Sequence, residues 1–412
     1  MKKILIILLI VPHILLAQTK LNKHSIEWNT NLLFESSSLD KIFLNTMLYG
    51  GHISDFTKTN WINAGGNNNV LYSEITNGLS YSLERNNNTF GFSFKDRNIL
   101  NTSFTDDLLR LAFEGNFYYQ DKTLDFGGTS IRADRFQQYT LSYATRFKQV
   151  KVSTSVSFLS GNHHVSYIIE KGSLYTAPFG TSLDIAYDIN TFVSDTASLN
   201  PFENNGNGLT FGLSTEFQFK EHKIHFSFSD LGFIMWDPTS ITLAADSNFA
   251  FSGIEIDDFY SFNDSLIDVN NSTEDFPSSQ KGKFKSYIPA TFHFKVSGNS
   301  DYKFLINYTL GIQGKWQPYL DNTPLSFSKI GQGFKESNFK TLYYIQSIFN
   351  IKYCDVIPTL SYGGYSLDTN LGLALSKGKK HNFTIGTHHF EDVLKSNSAK
   401  ALSVYFNIKF QF

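Results

Sequence analysis

Eleven histidines, a single cysteine and many serines are the side chains of this 412-residue chain best suited to metal or nucleophilic chemistry. Their spacing argues against both. His163-His164 and His388-His389 are adjacent pairs, and adjacent strand residues point to opposite faces, so neither pair readily chelates one ion. His222 and His225 flank a turn with no cysteine or third ligand near them. Cys354 has no partner for an internal disulfide or a two-cysteine metal motif, and it reads as a small strand residue. No Gly-x-Ser-x-Gly elbow occurs, although a Ser–His pair completed by a third polar group on a distant strand would leave no local trace. The stretch 245–288 carries Asp246, Glu255, Asp257, Asp258, Asp264, Asp268, Glu274 and Asp275 before its first lysine, Lys281. That spacing fits no compact oxygen-ligand loop of the EF-hand kind and reads as a solvated acidic surface loop. No catalytic residue, cofactor or metal site is therefore predicted.

The elements that would carry these residues are strands. Leu402, Val404, Phe406, Ile408, Phe410 and Phe412 fall on one face of the final segment, with Ser403, Tyr405, Asn407, Lys409 and Gln411 on the other. Six apolar residues in a row need an apolar neighbour along the whole strand. A transmembrane β-barrel supplies one, because its outer face touches lipid and its inner face touches water or a plug. The segment also resembles the terminal strand of bacterial outer-membrane barrels, whose closing phenylalanine is read by the barrel assembly machinery. The same alternation recurs upstream. Leu79-Tyr81-Leu83 and Phe90-Phe92-Phe94 flank the turn 85–88, Leu209 to Phe219 faces Ile224-Phe226-Phe228 across 220–222, and Ala290 to Val296 faces Tyr302 to Ile312 across 297–300. Further segments lie near 341–351, 355–363, 369–376, 381–388 and 400–412.

Composition supports this class. The chain has 40 Phe and 21 Tyr, and aromatics favour strands and form girdles at both water–lipid boundaries of outer-membrane barrels. A mean hydropathy of −0.21 suits strands that hide a lipid face among polar residues. A net charge of −2 argues against a nucleic-acid partner. At the start, Lys2-Lys3, the apolar stretch Ile4–Leu16 and Leu15-Leu16-Ala17 read as a signal peptide over 1–17, leaving a mature barrel over 18–412. The fold class predicted is all-β, a transmembrane antiparallel β-barrel of about 14 strands, with twelve or sixteen acceptable. Tight turns belong on the periplasmic side with both termini, and the long polar connections 191–208 and 245–288 belong outside. Ser103–Phe113 breaks the pattern as a short helix, expected in the lumen or at the periplasmic rim, where it would restrict flow. The irregular region 18–78 includes a candidate hatch or plug, although Ile26-Trp28 already suits a strand.

Two stretches resemble a known family. Asp107–Asn116 followed by Lys122-Thr123-Leu124-Asp125, and Ser229-Asp230-Leu231-Gly232-Phe233-Ile234-Met235-Trp236, are similar to segments of an uncharacterised outer-membrane barrel family of Bacteroidota, domain of unknown function 5723. The resemblance runs across nearly the whole mature chain. It implies an architecture similar to long-chain fatty-acid transporters, and it transfers no functional residues. Within the second stretch, Asp230, Gly232, Phe233 and Trp236 form a motif of unknown role, read as a corner that turns the chain into the long loop with Trp236 at an interface. Asp195-Thr196-Ala197 and Asp264-Ser265-Leu266 resemble the O-glycosylation sequon of that phylum, with Thr196 and Ser265 as acceptors. Arg146, Glu216, Lys295, Lys303 and Lys409 fall on inward faces, suited to a wet channel or to a plug. Two functions follow: a passive transporter or channel for a small solute, hydrophobic ones included, or a non-catalytic structural subunit of an outer-membrane secretion or assembly complex. The partners expected are the lipid bilayer and lipopolysaccharide, the assembly machinery, and periplasmic or surface proteins.

Overall fold

A strand that is apolar on one face only has its register fixed, because a one-residue slip would turn every side chain to the wrong side. The computed structural model describes residues 22–195, 200, 202–251, 279–300, 302, 304–317, 337–378, 380–394 and 399–412, and in it such strands close into one wall. In chain order they are β1 (Asn22–Ser36), β2 (Asn69–Arg85), β3 (Asn88–Phe104), β4 (Lys122–Asp125), β5 (Thr129–Phe147), β6 (Val150–Thr176), β7 (Leu183–Val193), β8 (Gly206–Phe219), β9 (His222–Trp236) and β10 (Ile241–Phe251). They continue as β11 (Gln280–Lys281), β12 (Lys285–Ile288), β13 (Ala290–Asn299), β14 (Leu305–Trp316), β15 (Lys340–Asn350), β16 (Asp355–Gly364), β17 (Asp368–Lys377), β18 (His381–Thr387) and β19 (Ala401–Gln411). The closed antiparallel barrel has 14 strands: β1, β2, β3, β5, β6, β8, β9 and then β13 through β19. The expected hairpins are present, with Leu79 opposite Phe94 and Tyr81 opposite Phe92.

Closure is made by the segment whose alternation was clearest. β19 pairs with β1 along its length, Trp28 opposite Ile408 and Phe34 opposite Leu402, and His24 and Phe412 exchange backbone hydrogen bonds of 2.9 and 3.0 Å. The strand thus removes the last open edge. Both described chain ends share a rim with the two-residue turns at Asn86-Asn87, Lys148-Gln149 and Lys220-Glu221, whose first residues have φ of 54°, 50° and 52°. Positive φ at that position matches the right-handed twist of the flanking strands. Cys354 lies in a turn of this rim, one residue before β16, rather than within a strand.

At the opposite rim the wall divides. Val150–Gly161 of β6 pairs with β8, while Val165–Thr176 pairs with β7, which in turn pairs with β10. The edges of the two long connections are therefore sheet, where the sequence reading has irregular loop. The alternation Leu183-Ile185-Tyr187-Ile189 lies just before the first of these connections. Residues 252–278 lie outside the described residues.

Three helices cap the same rim: α1 (Lys41–Tyr49), α2 (Asp55–Ala64) and α3 (Asp106–Glu114). Asp40, Ser54 and Thr105 cap their N-termini through side-chain oxygens. The helix predicted around 103–113 exists, but its placement corrects the expectation. Leu109, Trp61 and Ile62 pack against Phe34, Leu71, Leu100, Phe104 and Leu402, which share faces with the exposed Leu32, Ile75, Phe92 and Val404. The helices therefore cover the outer face of β1, β2, β3 and β19, not the lumen. The reason is the apolar stripe of α3, whose partners at this height point outwards.

Trp61 is the centre of that cluster, 1 % exposed and against the rings of Phe43 and Phe113. Trp61→Ala should cost about 3–5 kcal/mol of helix docking. Limited proteolysis should then cut within 41–64 far faster than in the native protein, while heat-dependent gel migration of the barrel stays unchanged.

Candidate functional site

A ring of fourteen strands encloses more space than ordinary inward side chains fill. The two halves of this lumen treat that space differently. Toward the rim with the chain ends, inward positions are small and polar, including Ser80, Ser82, Ser93, Thr140, Ser153, Ser155, Ser214 and Thr309, and all are partly exposed. They form a wet vestibule. Its charges are spread around the wall: Arg146 lies 3.6 Å from Glu216, Lys409 is opposite Glu27 in the β1–β19 register, and Lys295 is beside His225, which offers it no counter-charge. Lys303, the fifth inward charge, is outside the described residues.

Beyond Ser157, Gln138 and Thr210 the lumen is packed shut. Arg97 on β3 donates to Glu74 at 2.8 Å and to Asp230 at 3.1 Å, and Gln138 donates to the other Asp230 oxygen at 2.8 Å. Tyr72 donates its hydroxyl to Glu74 at 2.6 Å. Lys315 donates to the same Tyr72 oxygen at 3.1 Å, with its ammonium 4.5 and 5.0 Å from the Tyr72 and Tyr365 rings. Those two rings stack at 3.8 Å. Tyr365 reaches inward from the β16–β17 turn, where Gly363 and Gly364 at φ 111° and 78° allow a reversal that a side chain would strain. β2 and β14 stand seven places apart in either direction around the ring, so the Tyr72–Lys315 contact joins opposite walls. Val70, Ile99, Phe136, Leu159, Ile234, Trp236, Phe284 and Ile288 fill the space around it.

The structure gives the motif of unknown role a place in this seal. Asp230 sits at a bulge where Phe211 faces Leu231 but Leu213 faces Phe228, and its φ of 62° is one that aspartate tolerates. The bulge turns its carboxylate to Arg97. Gly232 runs so close to β8 that a Cβ would lie 1.9 Å from the Leu209 carbonyl oxygen. Phe233 lies under the Lys285 ammonium at 4.6 Å. Trp236 is inside the lumen, fully buried, donating from Nε1 to Ser286 at 2.8 Å, and this corrects its expected place at an interface. It packs where β6 and β8 part, over Gly161 and Gly206. Thr196 and Ser265 are outside the described residues.

His164 makes contacts that the sequence did not show. Its Nδ1 is 2.7 Å from Asp134 and its Nε2 is 2.9 Å from Ser166, while Arg132 donates to Asp134 at 2.6 Å. The order of groups is that of a hydrolytic triad. His164 and Ser166 are nevertheless fully buried, with Trp236 and Phe284 against the imidazole, so in this conformation no acyl group reaches Oγ. The quartet is a second polar tie between β5 and β6. His163, its neighbour, points outward, as the two-face argument requires.

Removing one partner from a buried ionic network strands the others, which costs about 3–5 kcal/mol, whereas replacing all partners together costs far less. Arg97→Met should therefore lower the unfolding midpoint in lipid vesicles more than the triple change Arg97→Met, Glu74→Gln, Asp230→Asn. Equal or additive losses would show that the three groups do not act as one unit.

The profile of one protein family, described as "Family of unknown function (DUF5723)", matches residues 13–388. No curated protein matches the chain. Among solved structures, the chain is similar to the Ralstonia pickettii toluene transporter TbuX at 11 % identity, covering 96 % of this chain and 90 % of that one with a TM-score of 0.42. It is similar to the Pseudomonas putida toluene transporter TodX at 8 % identity, with coverages of 96 and 89 % and a TM-score of 0.42. The translocator domain of the autotransporter NalP from Neisseria meningitidis is 6 % identical, with coverages of 98 and 92 % and a TM-score of 0.35. At such identities and scores nothing about solute or mechanism is taken from them.

Proposed function

Because the chain belongs to that family of unknown function, DUF5723, we propose its activity from its geometry: a gated outer-membrane channel for a small solute of apolar character. The observation that carries this reading is the seal itself. A barrel that served only as a scaffold would be closed most stably by apolar packing, since buried ionic networks seldom add net stability. Here the closure runs through Arg97, Lys315, Glu74 and Asp230, whose contacts are directional and share partners. Such a network suits two discrete states better than a graded one. The vestibule below it is wet and polar, and the closure is rimmed by Tyr72, Phe136, Trp236, Phe284 and Tyr365, surfaces that an apolar solute wets more readily than an ion does.

A second reading, a structural subunit with a protein partner in the envelope, is favoured by the outer face. The rung Thr30, Asn77, Asp96, Gln137 and Ser160 crosses β1, β2, β3, β5 and β6 on the lipid side, and Asn98, Arg135 and His163 lie in the next rung. Thr30 donates to Asn77 at 2.9 Å and Gln137 to Asp96 at 2.8 Å. A protein surface would match these groups better than acyl chains do.

The two readings separate in a planar bilayer. The channel reading expects brief, rare openings from the native protein. Lys315→Ala with Tyr365→Ala, by removing about 1.4 kcal/mol or more from the closed state, should raise the open fraction about tenfold or more. A correctly folded double variant that stays shut would rule out this gate and leave the subunit reading.

A further inference from the structure

His389 stands where β1, β17 and a short helix, α4 (Phe390–Leu394), meet at the rim opposite the chain ends. It is 2 % exposed, and its Nε2 lies 2.9 Å from Glu35 Oε1 on β1. A carboxylate only accepts, so Nε2 carries the proton and a neutral ring presents a lone pair at Nδ1. That Nδ1 is buried and, among the described residues, has no hydrogen-bond partner. An acceptor left in that state is costly unless something electron-poor sits beside it. A ligand atom of His389, one of Glu391 and one of Asp392 all lie within 4.8 Å of one another. Donor atoms on one zinc ion, at bond lengths of about 2.0–2.2 Å, sit about 3.4 Å apart, so small side-chain rotations close the set.

We propose that His389 Nδ1, Glu391 and Asp392 bind a divalent cation of the zinc class, with Glu35 orienting the imidazole from behind. The arrangement is the carboxylate–histidine–metal relay in which an outer carboxylate fixes the tautomer and strengthens the ligand nitrogen. One imidazole with two carboxylates suits zinc better than calcium or magnesium, which prefer oxygen throughout. Three protein ligands leave a fourth position for water or for an oxygen of another molecule. The ion would join α4 to β1 through Glu35 and to β17 through Glu391, whose Oε2 accepts the Leu371 N–H at 2.7 Å. Because Glu35 Oε2 also accepts the Tyr365 N–H at 3.1 Å, the bound cation would steady the seal from above, although the site does not depend on the channel reading.

The full-length protein in detergent, stripped with a chelator and titrated with zinc chloride against a chromophoric competitor, should bind one ion per chain. Glu391→Gln with Asp392→Asn should weaken that binding at least tenfold, and Glu35→Gln should weaken it by roughly ten- to a hundredfold, as loss of an outer carboxylate does. Zinc-edge anomalous diffraction from the native protein, which needs no variant to fold, should place a peak at bonding distance from His389 Nδ1. No peak there, or affinity unchanged in the folded double variant, would overturn the site.

Discussion

The interior of this barrel is organised around one guanidinium. Arg97 is held between Glu74 and Asp230 with little of the three side chains exposed, and in such surroundings a charge is tolerated only when well paired. Arginine suits the position because its planar fork addresses two carboxylates at once and still lays a face toward Phe136, 5.5 Å away. A lysine there would reach one carboxylate and leave the other uncompensated. Lys315 supplies the second cation from the opposite wall, so two acids and two bases are buried together. This balance lets a polar assembly sit inside a largely apolar packing and close the lumen.

The balance also explains why the two rims differ. Below the ionic group, small hydroxyl side chains leave the vestibule open, and short two-residue turns add nothing to obstruct it. Above it, several described parts fold inward: the Tyr365 turn, Trp236 where the wall divides, and the Asp134–His164–Ser166 tie. The sheet of β6, β7 and β10 extends from the same rim. The helix expected at 103–113, in the lumen or at the periplasmic rim, lies instead with α1 and α2 on the outside, where the three cover the apolar outer face of β1, β2, β3 and β19. Among the described residues, closure is thus made by the wall's own side chains and turns, and on the channel reading an opening would come from their rearrangement.

The wall was legible in the sequence because each lipid-facing strand carries its own evidence. Phe90-Phe92-Phe94 or Leu402 to Phe412 needs no knowledge of its neighbours to be recognised, and strand count and closure follow. The seal was not legible, because its members are single polar residues on strands up to seven places apart, and only ring closure decides which face each other. Asp230 illustrates the point: alternation alone places it beside Phe228 on the outer face, and the bulge that turns it inward has no local signal beyond an aspartate that tolerates positive φ. The His389 cluster was missed for a related reason. The strand argument did not apply to His388 and His389, because β18 ends at Thr387 before either of them, and the helical turn that follows brings His389 to Glu391 and Asp392.

The outer face sets a final constraint on how the barrel sits in a bilayer. On β8 the outward row from Leu209 to Phe219 is apolar except at Thr215; at about 3.3 Å per residue it spans about 33 Å along the strand, close to the roughly 25 Å belt once tilt is included. On β3 the corresponding run is only Phe90 to Phe94, about 13 Å, before Asp96 and Asn98 interrupt it. The side that is thin in apolar surface is the same side on which α1, α2 and α3 pack, directly above the polar rungs. Met47, Leu48, Tyr49 and Phe56 on those helices are exposed, as interfacial residues are. A uniform bilayer matches the two sides of this barrel unequally: on the channel reading the membrane would thin around β2, β3 and β5, and on the subunit reading a protein partner would take the place of lipid there. The cross-strand pairing of Asp96 with Gln137 and of Thr30 with Asn77 lowers the cost of the first arrangement without abolishing it. On the subunit reading, that residual cost would favour a polar neighbour over lipid at the β1–β6 face.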